Sequence, residues 1–307
     1  MTKPRPRPHV LICVGSEEFS EDTIRFGARA AEALEADVSV LYVGLETTRS
    51  FRPEVALART KLREWELDLP GVRVLRFARD VIAEMGLAAR DGNGEVVLRH
   101  SLRPGIAGAY ELHLVGSYGE QVRLRLREGR IIEQIVEELD SHHYSVVVLG
   151  APQRRRLLHE IVQFANASVL IARNARREYY DLLLPVDHSD AARRARHLAS
   201  LVAHALHLRV LVLSIAESNE KLPEAQALAE QEAGIVARRG IEVQARSAVG
   251  DIVEEICNAA GDDHIIVLGA SRRHDVWKYL FGSRSIRGVQ RAKSPVLVVK
   301  RIEEFPV

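Results

Sequence analysis

The sequence predicts an α/β protein of two tandem domains, each built around a parallel sheet. Three observations carry that prediction. Short β-branched apolar runs, several of them closed by a Gly or an Asp, alternate with amphipathic stretches of helical length. The alternation occurs twice along 307 residues, the length of one large domain or two ordinary ones. The two occurrences also superpose without a gap at their start: Gly15 pairs with Asp187 and Val38 with Val210, both 172 residues apart. Repetition at that length means two copies of one domain rather than a solenoid.

In chain order, residues 10–14 (VLICV) read as a strand, ended by Gly15-Ser16. Ser20 is expected to cap a helix running to about residue 34, with Ile24, Ala28, Ala31 and Leu34 on one face. Residues 38–43 are the next strand. Such a β-α-β unit implies parallel strands and a right-handed crossover. In the second copy residues 182–186 are the strand. Ser189 caps a helix with Ala195, Leu198, Val202 and Leu206 on one face, and residues 210–215 follow as a strand.

The later halves match as well. Residues 127–155 (REGRIIEQIVEELDSHHYSVVVLGAPQRR) resemble residues 248–273 (AVGDIVEEICNAAGDDHIIVLGASRR), and Asp251 and Glu254 have capping-box spacing. Gly150 now pairs with Gly269 at an offset of 119, so the first copy carries 53 more residues, placed roughly at 67–119. In that insertion Asp91-Gly92-Asn93-Gly94 signals a turn between a helix-like stretch, 80–89, and a strand-like one, 95–100. Residues 110–115 alternate like a further strand. Extra β structure is expected there, a hairpin being one form of it. The first copy closes with a helix at about 157–164 and a strand at 169–172. Val169 pairs with Val296, which leaves that region 8 residues shorter than in the second copy. The resulting division is a flexible arm at 1–8, a first domain at 9–175 and a second at 176–307. A Gly116–Gly119–Gly129 spacing mimics a phosphate loop, but residues 120–128 between them alternate polar and apolar, which makes a strand.

Bulk properties exclude several classes. With 47% hydrophobic and 28% charged residues the chain forms real cores, and a net charge of +1 exerts no general pull on nucleic acid or anionic membranes. No apolar run approaches the roughly 20 residues of a bilayer span. The start, MTKPRPRP, lacks the apolar region of a signal peptide. Cys13 and Cys257 make neither a disulfide framework nor a metal site, so a cytoplasmic location is expected. His204 and His207, and the His142-His143 pair, lack acidic or Cys partners at ligand spacing and are expected to face solvent. Trp65, Trp277 and Tyr279 read as packing residues. No Gly-x-Ser-x-Gly elbow or Walker A loop is present.

One stretch carries chemistry. Residues 264–300 run strand, Gly269, an Arg-rich loop, Gly282-Ser283, an amphipathic segment and a closing strand. Gly-Ser opening a helix after a strand and loop suits phosphate, because free N–H groups and the helix dipole attract an anion.

These residues give the chain its resemblance to the universal stress protein family. The features are Leu184-Pro185-Val186-Asp187 at a strand end, Gly269-x2-Arg272-x9-Gly282-Ser283, and the closing SPVLVVK. The resemblance spans nearly all of 179–300, and 9–45 plus 120–173 of the first half. It implies two Rossmann-like domains of the adenine nucleotide alpha hydrolase type, each a five-strand parallel sheet with helices on both faces. It also implies roles. Pro185 and Asp187 would line the ribose and adenine end, and Ile215 would meet adenine through its backbone. Gly269 would allow close approach beneath the nucleotide. Gly282 and Ser283 would hold phosphate, with Ser285 as helper. Arg272 replaces the motif's second glycine, and it either fills the phosphate space or grips the phosphates through paired hydrogen bonds. In the first copy Gly15 and Cys13 replace the Asp and Pro and the Gly-Ser segment is gone, so no nucleotide is expected there.

The implied protein is a non-catalytic stress-response regulator that binds ATP, ADP or AMP in its second copy, with or without Mg. Two alternatives stay open: a nucleotide-free interaction scaffold, and a slow ATPase with Asp187 as its acidic group. The closing strands 168–172 and 295–299 would pair into an intrachain pseudo-dimer, and two chains would form a homodimer. A further protein partner is implied but not identified; nucleic acid and membrane insertion are not.

Overall fold

The computed structural model describes residues 7–15, 17–44, 70–104, 109–150, 155–175, 180–270 and 293–300. Their contacts fall into two compact units, 1–150 and 151–307.

In the first unit, β1 (His9–Val14), α1 (Glu17–Ala33) and β2 (Asp37–Gly44) form the expected β-α-β start. The helix begins ahead of Ser20, which lies buried within it rather than at its cap. Next come α2 (Pro70–Glu84), β3 (Leu98–Pro104), β4 (Tyr110–Val115), β5 (Gln121–Glu128), α3 (Ile131–Ser141) and β6 (Val146–Gly150). The strand order is β6-β1-β2-β5-β4-β3. The first four are parallel, and β4 and β3 are added antiparallel. The extra β structure is therefore a hairpin that widens the sheet. Its edge strand β3 shifts register twice against β4, an irregularity common on edges because it disfavours further pairing. The Asp91 turn forms as expected, its carboxylate accepting from the N–H of Asn93 at 2.9 Å and of Glu95 at 3.0 Å. It pairs Arg90 with Val96 and does not join β3 to β4.

Strand β5 forms where the alternation of polar and apolar residues placed a strand, but two of its polar positions are buried. Val122, Leu124 and Leu126 are buried, but so are Arg125 and Arg127 on the other face, at 0% and 1% exposure. Both guanidiniums converge on Glu138 of α3, itself fully buried: Arg127 Nε donates at 2.8 Å and Arg125 Nε lies 3.1 Å away. The Tyr144 hydroxyl donates to the same carboxylate at 2.5 Å. Arg125 also reaches His142 Nε2 at 3.0 Å and Glu111 of β4 at 3.7 Å, tying the hairpin to the cluster. His142 is therefore not solvent-facing; it sits against buried charge because α3 covers a polar sheet face. His204 and His207 are exposed as expected. The ring of His9 lies 4.5 Å from that of Tyr144 and its Nε2 bonds the Ser39 hydroxyl at 2.9 Å. Burial, reinforced by Arg123, His142 and Arg125, lowers His9 to about 3. Burial and Arg125 lower His142 as well.

The second unit runs α4 (Arg155–Phe164), β7 (Ser168–Ala172), β8 (Asp181–Pro185), α5 (Asp190–Leu206), β9 (Val210–Ala216), α6 (Leu222–Ala237), β10 (Val243–Val249), α7 (Ile252–Ala260), β11 (His264–Gly269) and β12 (Val296–Val299). The strand order is β10-β9-β8-β11-β12-β7. The first five form the expected parallel sheet. The closing strands pair antiparallel, Val296 with Ile171, Leu297 with Leu170 and Val298 with Val169. By sequence β7 ends the first copy; by its contacts it belongs to the second unit.

The repeat is visible in detail. Gly129 after β5 and Gly250 after β10 both have positive φ, +136° and +152°. Their N–H groups donate to the equivalent carbonyls of Gly44, at 3.0 Å, and Ala216, at 3.3 Å. That equivalence disposes of the false phosphate loop. It also shows that α2, though inside the 67–119 stretch, fills the crossover that α6 fills between β9 and β10.

At the end of β11 the chain meets α5. A Cβ on Gly269 would lie 2.0 Å from the Ala191 carbonyl oxygen and 2.2 Å from its carbon. Only a glycine lets the first turn of this helix rest on the strand end. At the equivalent Gly150 the nearest atom is the Thr23 hydroxyl, at 3.0 Å.

Three outcomes test this architecture. Glu138→Ala strands two buried guanidiniums and is expected to cost about 3–5 kcal/mol in urea unfolding. Gly269→Ala drives a methyl into fixed backbone and is expected to cost about 1–3 kcal/mol or more, against a smaller cost for Gly150→Ala. Acid acts through His9. Its folded form resists protonation until about 3, while in the unfolded chain it takes a proton near the ordinary 6.5. The unfolded state thus binds more protons between those values, so stability is unaffected above that window and falls as pH drops through it. Urea midpoints at pH 7, 6 and 5 should decline, with a shallower decline in His9→Gln.

Candidate functional site

In the second unit β9 and β10 lie to one side of β8, and β11 and β12 to the other. The crevice at the carboxyl ends of strands, where the order reverses, is where doubly wound sheets hold ligands. Two side chains turn the chain from β8 into α5. The Asp187 carboxylate accepts from the Ser189 N–H at 2.9 Å, and the Ser189 hydroxyl accepts from the Ala192 N–H at 3.1 Å. Ser189 is thus the N-cap that the sequence predicted.

A cleft of about 200 Å³ opens at this point. Of the residues singled out in the sequence, Pro185, Asp187, Ile215 and Gly269 are brought together in its lining. Arg272, Gly282, Ser283 and Ser285 lie outside the described residues, as do Trp65, Trp277 and Tyr279. Most of the remaining wall is apolar: Val186, Leu213, Ile252, Ile256 and Leu268. Sequence reasoning missed these as site residues. A signal existed for Ile252 and Ile256, which stand four apart at the start of α7, just after Asp251, whose carboxylate accepts from the Glu254 N–H at 2.9 Å. Ile252 is 44% exposed, an isoleucine facing open space at the cleft.

The cleft has an apolar slot, one carboxylate and the first turn of a long helix. That combination suits a flat heteroaromatic ring joined to a polar or anionic group. Ser189, the lining hydroxyl among the described residues, serves as cap. No group of three metal-ligating side chains converges among the described residues. A fixed point borders the cleft. The Ala270 N–H donates to Val299 O at 2.8 Å, and its carbonyl accepts from Arg194 Nη2 at 2.9 Å. Arg194 was not singled out in the sequence, because an Arg within a helical stretch reads as a solvated face.

The first unit ends its strands differently. Gly15, in the place of Asp187, has no carboxylate to hold a turn, and Cys13 stands for Pro185.

A sequence model described as the universal stress protein family matches residues 178–300. No curated protein matches the chain. Among solved structures, a universal stress protein from Archaeoglobus fulgidus DSM 4304 is 15% identical and superposes over 96% of this chain and 97% of its own, with a TM-score of 0.60. A functionally unknown protein from Pseudomonas aeruginosa PAO1 is 13% identical over 97% of this chain and 94% of its own, with a TM-score of 0.56. Such identities speak to fold alone. Over 96% of its length the chain has the Rossmann-like α/β fold of that archaeal protein, and residues 178–300 carry a universal stress protein domain.

Proposed function

We propose that the second half binds an adenine nucleotide in the cleft at the ends of β8, β9 and β11, and that the protein is a stress-response regulator without catalytic turnover. The observation that carries this reading is the convergence of Pro185, Asp187, Ile215 and Gly269 on one apolar cleft at the reversal of strand order. The slot between Ile215, Leu213 and Ile252 takes the adenine ring. Asp187, with one oxygen engaged by the Ser189 N–H, accepts from a ribose hydroxyl. By the family motif, Gly282 and Ser283 hold the phosphates with Ser285 as helper, and Arg272 either grips the phosphates or fills their space. Binding shifts the population of cleft conformations, and a protein partner reads the shift.

Catalysis has little support in the described residues. Asp187 is the one carboxylate in the lining, and Ser189 is committed to capping. An Mg–nucleotide complex suits such a cleft only with phosphates and water as its main ligands, since Mg²⁺ commonly takes one or two carboxylates plus phosphate oxygens. The first half binds no nucleotide in this reading. An intrachain pseudo-dimer and, on it, a homodimer are proposed from the family resemblance. No helix among the described residues is long and apolar enough to cross a membrane, and a cytoplasmic location is proposed.

Denaturing the purified protein and assaying released nucleotide, followed by calorimetry with ATP, ADP and AMP, tests the reading. Bound adenine nucleotide or a saturable isotherm is expected, with Asp187→Ala weakening it by about tenfold. Neither nucleotide nor heat of binding would leave the interaction scaffold as the better account. Steady phosphate release abolished in Asp187→Ala would favour a slow ATPase.

A further inference from the structure

Arg194 is the basic side chain in this region with no acidic partner among the described residues. Its neighbour Arg193 pairs with Asp190, and Arg196 pairs with Glu232 at 2.6 Å. Arg194 instead reaches 76 residues along the chain to the Ala270 carbonyl, at 2.9 Å. Its Nε is buried without a hydrogen-bond partner among the described residues. That one nitrogen has given up water without gaining a partner, which costs free energy unless something else compensates. The Arg194 bond to Ala270 sets the guanidinium beside Gly269, which lines the cleft together with Ala191 and Ala192.

The bond itself does mechanical work. Ala270 follows directly on Gly269, and both sides of its peptide unit are tied: the N–H to Val299 and the carbonyl to Arg194. Because Ala191 rests on Gly269 with no room to spare, Arg194 fixes the start of α5 and the end of β11 as one piece. An anion at this wall would compensate the charge; a neutral ligand would not use it.

We propose that Arg194 is a positioning residue of the cleft: it locks Ala270 to α5 and biases the site towards phosphorylated over uncharged adenine ligands. The inference rests on the nucleotide reading above and deepens it by assigning the preference among ligands.

The test is a titration of wild type, Arg194→Gln and Arg194→Lys with adenosine, AMP, ADP and ATP at two salt concentrations, alongside thermal melting and amide hydrogen exchange at residues 268–270. Gln keeps a donor for the carbonyl and loses the charge; Lys keeps the charge and loses the planar fork. The expected result is ATP and ADP affinity about tenfold lower in Arg194→Gln. Adenosine affinity should not change, Arg194→Lys should restore part of the loss, and the salt dependence of ATP binding should be weaker in Arg194→Gln. Equal losses for adenosine and ATP, tracking a lower melting temperature, would mean a purely structural role and overturn the proposal. Wild-type binding with no difference in either variant would overturn it too, leaving the nucleotide reading intact. A wild type that binds none of the four ligands would overturn that reading, and this one with it.

Discussion

The close approach of a helix to a strand end at Gly269 governs the second half of this protein. A side chain there would collide with the backbone of Ala191, so the first turn of α5 and the last residue of β11 form a single surface. The cleft depends on that surface. Asp187 and Ser189 set the turn into α5 from one side, Ala270 is tethered on the other, and the apolar residues of β9 and α7 complete the enclosure. The glycine is therefore needed by the fold before any ligand arrives. The same contact that packs the helix leaves its N-terminus facing the space where an anionic group would sit.

The two copies have put the same framework to different uses. The second keeps an apolar cleft at its strand ends. The first has lost the Asp–Pro signature and instead carries a hairpin on the far side of β5, held by charges buried under α3. Two guanidiniums sharing the Glu138 carboxylate are not an efficient source of stability, because the desolvation of each ion offsets much of the attraction. Their value is positional. Arg125 touches residues of β4, α3 and the segment after it, so the hairpin has one place where the charges are satisfied. A one-residue slip of β5 would turn both arginines to the opposite face.

Much of this was legible in the sequence. The apolar runs closed by Gly or Asp gave the strands, and the 172-residue offset gave the two copies, because a parallel strand buried on both faces leaves a compositional trace. The caps at Ser189 and Asp251 were readable because a side-chain acceptor three residues before a free N–H is a local device. What failed was non-local. The alternation of Val122, Leu124 and Leu126 with arginines looks the same whether the arginines meet water or a buried carboxylate on a later helix. Ser20 has capping chemistry, yet the chain upstream of it is already helical. The helix-like stretch read at 80–89 is the end of a helix that runs 70–84, and residues 88 and 90 form β-bridges instead; its start was missed because its partner α6 shares its place between parallel strands and not its sequence. In the cleft, Pro185, Asp187, Ile215 and Gly269 were named through the resemblance to the universal stress protein family, while Ile252 and Ile256 were not, since an apolar pair on a helix says core before it says site. Arg194 was invisible for the same reason as Arg125: its partner is far away in sequence.

The account stands on one location for one ligand class. The most direct measurement is a backbone amide chemical-shift map of the isotopically labelled full chain titrated with ATP. The account predicts saturable shifts concentrated at Val186, Ser189, Ile215, Ile252 and residues 269–270, with the corresponding positions around Gly15, Gly44 and Gly150 unmoved. Shifts centred on the first half, or no shifts at millimolar nucleotide, would contradict it.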